Sequence, residues 1–392
     1  MATQAALIAL FVTAFVDTVG MAMIIPLLPY YATSLGANAT AVGALISAFA
    51  IAQLLSAPFW GRLSDRVGRR PAIVAGLLLS GVAYIVFAGA NSLVLLLTSR
   101  IIQGVGGGTI AVVQAYATDL SPPETRTKTL GWLSAVTSSS IIVGPALGSA
   151  MIGYGGPRAP GIGAAALAFL AAIFAARYLH EAARADHPPD SPVAGSTPRR
   201  PALWRVLVPW KDPVSRLVWV YAVGVGAFYG TAPTMPLLFD QRFGITARTV
   251  GYLVMYVGAM GFLVRAALLG PIVQRLGEPA VTRWGMVSLA AGLALLSIAH
   301  SFPLLFLSLT LMPLGTALLF PCITSLLSRV VAPTERGLYL GVQQTFGSAA
   351  RVVFPLGAGL LMDRFGYATA FWVACGLVLL TLPLTRRPLK SA

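Results

Sequence analysis

Asp17 lies in the middle of an apolar run, Phe15-Val16-Asp17-Thr18-Val19-Gly20, and is the only acid deep within any such run of the chain. A charged side chain at that depth costs about 2.5–3.5 kcal/mol on insertion scales, so it faces a protein interior or a wet cavity. The chemistry that a carboxyl offers there is proton uptake and release. The plainer alternative is a hydrogen-bond anchor. A second buried-type charge, Arg100, opens Arg100-Ile101-Ile102-Gln103-Gly104 in another apolar run. Gly104, Gly106, Gly107 and Gly108 give that run a surface without side chains, which permits close packing or the approach of a ligand. At 1.5 Å per helical residue, Asp17 sits about 18 Å from the inner end of its run and Arg100 about 11 Å from the outer end of its own. In a hydrocarbon core of about 30 Å the two fall at nearly one level. We expect them to face one cavity, with Arg100 controlling how readily Asp17 exchanges its proton. The alternative for Arg100 is a structural clamp on backbone carbonyls.

The elements that hold these residues are membrane helices. The 392 residues are 57% hydrophobic and 10% charged, and the mean hydropathy is +0.81. Twelve apolar spans can be drawn, at about 5–30, 40–60, 71–90, 93–118, 129–153, 160–179, 215–238, 247–270, 281–299, 302–328, 337–361 and 367–385. Residues 180–214, rich in Pro, Arg, Asp and Ser, read as a cytoplasmic linker between six-helix halves at 1–179 and 215–392. Trp204 and Trp210 near its end suit the headgroup layer. The formal charge of +15 does not point to nucleic acid. Alternating the loops from a cytoplasmic N-terminus places 20 of the 27 Lys and Arg on the cytoplasmic side. That pattern predicts an inner-membrane protein with both termini in the cytoplasm and anionic lipid as a neighbour. Cys322 and Cys375 fall in apolar runs and imply no disulfide framework. The first run lacks a basic leader and a small-residue cleavage site, so it reads as a retained helix.

The halves repeat at an offset of about 210 residues. Pro26-Leu27-Leu28 recurs as Pro236-Leu237-Leu238, and Gly61…Arg66-x-Gly68 recurs as Gly270…Arg275-x-Gly277. Pro123-x-x-Arg126…Leu130-Gly131 recurs as Pro333-x-x-Arg336…Leu340-Gly341, and Pro145 recurs as Pro355. The copies differ where charge matters, with Ala227 opposite Asp17 and Gln274 opposite Asp65.

The densest motif joins the second and third spans: Gly61-Arg62-Leu63-Ser64-Asp65-Arg66-Val67-Gly68-Arg69-Arg70-Pro71. Such a segment cannot lie in hydrocarbon and must be a tight polar turn. It resembles the signature loop of the major facilitator superfamily of secondary transporters. Arg100-x-x-Gln103-Gly104 is similar to that superfamily's fourth-helix motif. Gly144-Pro145-x-x-Gly148 resembles the fifth-helix motif of its antiporters, with Ser138-Ser139-Ser140 where the family has further glycines. The stretch from Asp17 to Pro29, with Gln53 and Ala57-Pro58, is similar to twelve-helix drug/proton antiporters, the tetracycline/proton exchangers in particular. There the first-helix acid is functionally important. Those exchangers carry further acids in the third and ninth helices, which this chain lacks, so multidrug substrates are expected over tetracycline.

The resemblance implies an all-α membrane protein with the major facilitator fold, twelve transmembrane helices in two pseudo-symmetric bundles, and a substrate site between the halves near the midplane. It implies a proton-coupled antiporter that exports small lipophilic or amphipathic compounds, with Asp17 and Arg100 in proton coupling. Gly61, Asp65, Arg66, Gly68, Arg69, Arg70 and Asp119 would form a conformational latch that stabilises the outward-facing state. Gly144, Pro145 and Gly148 would let the fifth helix bend and seal against the other half. Gln53, Gln103, Tyr229, Tyr256, Gln343, Phe346 and Arg351 are candidate substrate contacts, with Tyr221, Phe228, Tyr252 and Gln344 as further aromatic and amide surface. Arg265 suits either an anionic substrate group or snorkelling. The expected partners are a small-molecule substrate, protons and the bilayer, with no nucleic acid, and a monomer is the expected assembly.

No phosphate-cradling loop or metal-spaced His/Cys cluster occurs, so no cofactor, metal or enzymatic reaction is expected. The rival readings are a proton symporter or facilitator for a nutrient such as a sugar, a lipid or siderophore exporter, and a non-transporting membrane receptor.

Overall fold

The computed structural model describes residues 2–122, 124–181, 206–207 and 212–385. Most of the expected linker, Trp204 and Trp210 included, lies outside the described residues. Among the described residues the protein is entirely helical. Eleven helices are long and apolar enough to cross a membrane, and a shorter apolar segment, Thr369–Thr385, follows them.

Several spans are broken where the sequence supplies a reason. The first is α1 (Ala2–Ile24) and α2 (Leu28–Ser34), with Pro29 starting the new helix after a turn. α3 (Ala39–Val67) begins at Asn38, whose side chain accepts the Ala41 N–H, and carries Pro58 inside. α4 (Arg69–Ala88) follows at once. The fourth span divides at its glycines into α5 (Leu93–Gly107) and α6 (Ile110–Asp119). α7 (Arg126–Gly155) and α8 (Ala159–Tyr178) complete the first half.

In the second half α9 (Pro213–Val225) runs through a π-helical turn, Gly226–Gly230, and a 3-10 turn at Pro233 into α10 (Met235–Phe243). α11 (Ala247–Leu263) passes through a second π-helical turn, Val264–Leu268, into α12 (Leu269–Leu276). α13 (Glu278–Ile298), α14 (Phe302–Val330), α15 (Arg336–Phe365) and α16 (Thr369–Thr381) follow. Interior π-turns occur often at functional sites. The second borders a cavity described below.

The internal repeat is visible in the backbone. Six described glycines have positive φ, a conformation that a side chain disfavours. They pair as Gly36 with Gly244, Gly68 with Gly277, and Gly156 with Gly366, at separations of 208, 209 and 210 residues. The packing repeats as well. α1 lies on α7 as α9 lies on α15, and α4 touches α5 and α8 as α13 touches α14 and α16.

By contact density the chain divides into one unit of residues 1–187 with 244–256 and a second of 188–243 with 257–392. Side-chain hydrogen bonds tie Gly244–Tyr256 to the first half. The Tyr30 hydroxyl donates to the Ile245 carbonyl at 2.6 Å, and Ser149 on α7 bonds to Ala247 and Gly251.

Within the first unit, small residues let helices approach closely, the usual source of helix association in lipid. A Cβ on Gly104 would lie 2.4 Å from the Phe49 carbonyl, and one on Gly108 2.4 Å from Ser56 Oγ. One on Gly106 would meet Ser80 Oγ at 2.9 Å. The glycine series therefore wedges α5 between α3 and α4. Close helix packing, rather than ligand approach, is what it accomplishes.

Candidate functional site

Asp17 is half-buried on α1, and among the described residues its carboxylate has no hydrogen bond or ion pair. Arg100 on α5 is 2% exposed. Its Nε reaches Ser99 Oγ at 3.4 Å and its guanidinium lies 5.0 Å from the Phe87 ring centroid, a cation–π contact. Its Nη2 has no hydrogen-bond partner. The structure does not join Asp17 and Arg100 directly. Tyr84 on α4 stands within electrostatic reach of both. This tyrosine, 1% exposed, places its hydroxyl 3.7 Å from where a Cβ on Gly20 would be, one turn beyond Asp17. Gln103 Nε2 donates to that hydroxyl at 2.9 Å, while Gln103 Oε1 has no partner.

Buried polar groups are normally satisfied, and leaving one unpaired costs about 1–3 kcal/mol. Here a buried guanidinium N–H and a buried amide oxygen are both unpaired on one helix, next to Phe87 and Tyr84 respectively. Tyr84 is the residue that the sequence reading missed. A tyrosine in an apolar helix looks like packing, and nothing local marks its hydroxyl as the link to Gln103.

Gln53 is a strut. Its Nε2 donates to the Gly107 carbonyl at 3.2 Å, an acceptor freed by the break between α5 and α6.

At the signature loop, Gly68 has φ 106° and closes α3. Arg69 gathers the cluster. Its Nη1 binds Asp65 at 2.6 Å and Ser64 Oγ at 2.7 Å, and its Nε binds Asp119 at 3.1 Å. Arg70 donates to the Ala176 carbonyl. Gly61 has nothing within 4 Å of a would-be Cβ, so no close packing demands it. Arg66 is exposed. A residue not singled out from the sequence completes the cluster. Glu181 accepts the backbone N–H of Arg69 at 2.6 Å and of Arg70 at 3.3 Å, capping α4 from more than 100 residues away. A carboxylate at a helix N-terminus is favoured by the dipole. A distant cap of this kind leaves no local signature.

The Gly-Pro motif packs chiefly against α1. A Cβ on Gly144 would meet Ala22 Cβ at 2.7 Å, and one on Gly148 the Met23 carbonyl at 2.6 Å. Ser140, in the serine run that replaces glycines, is 0% exposed and donates to the Phe15 carbonyl at 3.0 Å. The other face of α7 meets residues 247–251. Pro145's carbonyl abuts Gly251, and Ser149 Oγ donates to the Ala247 carbonyl at 2.7 Å while accepting the Gly251 N–H at 2.9 Å.

In the second unit a cavity of about 690 Å³ is lined by Tyr221, Tyr229, Phe320, Thr324, Arg265 and Arg351, with Pro321, Ser325, Ser328 and Leu340. Tyr229 stacks on Phe320 at 5.9 Å, and Arg351 stands 5.4 Å over the Tyr229 ring. Of the candidate substrate contacts, Tyr229 and Arg351 line this cavity. Gln343 is 0% exposed and donates to Thr324 at 3.3 Å. Phe346 packs edge-on against Trp219, and Tyr256 belongs to the first unit.

A family model for the Major Facilitator Superfamily matches residues 10–278 and 243–391. The chain belongs to the major facilitator superfamily. It is 30% identical over 398 residues to the class G tetracycline resistance protein of Vibrio anguillarum, covering 99% of each chain. It is 29% identical over 350 residues to multidrug resistance protein 1 of Bacillus subtilis, covering 89% of this chain and 87% of that one. The quinolone resistance protein NorA of Staphylococcus aureus is 28% identical over 361 residues, covering 90% and 89%. Among solved structures, a bacterial homologue of the lysosomal transporter Spinster, inward-facing and unoccupied, superposes with a TM-score of 0.81 at 14% identity, covering 98% and 96%. The human organic anion transporter MFSD10 superposes at 0.69 and 24% identity, covering 98% and 99%. The major facilitator fold expected from the sequence is the fold observed. This superfamily member is a multi-pass membrane transporter of small molecules and not an enzyme.

Proposed function

We propose that this transporter is a proton-coupled antiporter that exports small lipophilic or amphipathic compounds by alternating access. The observation that carries the reading is Asp17, an acid without an ionic partner in an apolar helix, beside the Tyr84–Gln103 pair and the unsatisfied Arg100. Asp17 takes a proton when open to the outside and releases it when open to the cytoplasm. Arg100 supplies the positive field that favours release, and Tyr84 stands within electrostatic reach of both groups. Similarity to multidrug, tetracycline and quinolone resistance proteins supports export of amphipathic compounds.

In this reading residues 1–179 and 215–392 are the two moving bundles, joined by a cytoplasmic linker. The protein works as a monomer in the inner membrane with both termini inside, as its basic loops favour. Asp65, Arg69, Asp119 and Glu181 form the latch at the cytoplasmic end. Its ion pairs are substantially exposed and contribute roughly 0–1 kcal/mol each, enough to bias two conformers without locking either. The test is substrate-dependent proton movement in proteoliposomes, with and without Asp17→Asn. Flux that ignores the substitution overturns the assignment of Asp17.

A further inference from the structure

Arg351 and Arg265 are the two charged side chains lining the second unit's cavity, and both are cations. Arg351 is the central residue of its helix, 15 residues from Arg336 and 14 from Phe365. Arg265 sits in the π-helical turn Val264–Leu268. An arginine within a membrane span normally pairs with an acid or with backbone carbonyls. Among the described residues neither guanidinium has a hydrogen bond or ion pair, and Arg351 stands over the Tyr229 ring and within electrostatic reach of Tyr221. The acid bonded to Ser325 of the cavity lining is already engaged with another arginine. Glu278 accepts from Ser325 at 2.8 Å and pairs with Arg329 at 3.0 Å. The cavity therefore presents two open positive forks, with the stacked rings of Tyr229 and Phe320 and the Tyr221 ring beside them.

We propose that this cavity is a binding subsite for amphipathic organic anions, aromatic carboxylates or sulfonates. Arg351 holds the anionic group through its planar fork, Arg265 adds a second positive charge at the cavity wall, and Tyr221, Tyr229 and Phe320 take the apolar body. A guanidinium matches a carboxylate with two parallel N–H···O bonds, a geometry that an ammonium cannot supply. A cavity of about 690 Å³ is of the size that holds a drug-sized molecule. The inference narrows the substrate class of the exporter proposed above and rests on that reading for its transport role, although binding alone tests it.

The experiment is equilibrium binding of tritiated 1-naphthylacetate to the full-length protein in lipid nanodiscs, with 1-naphthylacetamide and 1-(1-naphthyl)ethylammonium as competitors. The expected result is saturable binding in which both competitors are at least tenfold weaker. Arg351→Gln lowers affinity at least tenfold and Arg265→Gln by a smaller factor. Arg351→Lys falls between Arg351→Gln and the native protein. If Arg351→Gln fails to fold, at least threefold losses in both Arg351→Lys and Arg265→Gln support the site, and unchanged affinity in either overturns it. Absence of saturable binding, or equal competition by the amide or the ammonium, also overturns it. Binding without proton-coupled flux would leave this subsite standing and count against the antiporter. Flux of neutral or cationic compounds without anion binding would do the reverse.

Discussion

Gln103 donates its side-chain amide to the Tyr84 hydroxyl at 2.9 Å, and Tyr84 stands within electrostatic reach of both Asp17 and Arg100. Direct ion pairing would fix both charges; without it, each charge can respond to a change in helix spacing. Tyr84→Phe removes the link and strands a second polar atom of buried Gln103. We expect a stability loss of about 1–3 kcal/mol, read as an earlier thermal unfolding transition. The pH profile of transport should shift as well, whereas a merely structural hydroxyl would leave that profile in place.

Gly148 and Gly131 lie on the same helix and predict opposite outcomes. A Cβ at Gly148 would meet the Met23 carbonyl at 2.6 Å, and backbone does not yield easily. Gly148→Ala should therefore destabilise by about 1–3 kcal/mol through overpacking. Gly131 has open space around it. Gly131→Ala should be neutral or stabilise by roughly 0.5–1 kcal/mol through helix propensity. Thermal unfolding in detergent separates the two; equal effects would contradict the α1–α7 packing described here.

Glu181 predicts a stability effect out of proportion to its exposed position. Glu181→Ala uncaps α4, with an expected loss of about 0.5–2 kcal/mol. Glu181→Gln keeps the acceptor and should retain part of that, whereas Asp65→Asn should change stability by less than Glu181→Ala because its ion pair is exposed. Chemical unfolding of the three variants ranks them, and a larger loss for Asp65→Asn would reverse the account.

Charge movement follows from the substrate class. One-for-one exchange of an inward proton for an outward monoanion moves two positive charges inward per cycle. A neutral substrate moves one and a monocation none. Each charge gains about 2.3 kcal/mol per 100 mV. An inside-negative potential should accelerate efflux of 1-naphthylacetate more than that of 1-naphthylacetamide. Equal acceleration in potassium-clamped vesicles would contradict the anionic assignment.

Much of the architecture is legible in the chain because membrane helices obey a length rule and the repeat is written twice. Gly68 and Gly277 mark equivalent turns both by identity and by positive φ. Arg69, Asp65 and Asp119 come together as their motif suggests. What the chain does not disclose depends on tertiary registration. Tyr84 acquires its role only when α4 meets α5, and Glu181 only when the end of α8 returns to the start of α4. The π-helical turns at Gly226–Gly230 and Val264–Leu268 shift the phase of their helices in a way that hydrophobic spacing does not reveal. The cavity wall formed by Phe320 and Thr324 is hidden in an otherwise ordinary apolar run.

The central claim is that Asp17 carries the coupled proton. Purified protein in proteoliposomes with a trapped pH indicator, challenged with lipophilic cations, antibiotics, aromatic carboxylates and sugars, measures it directly. The account predicts proton movement that depends on an amphipathic compound and is lost in Asp17→Asn while substrate binding persists. Proton movement of undiminished rate in Asp17→Asn would contradict it.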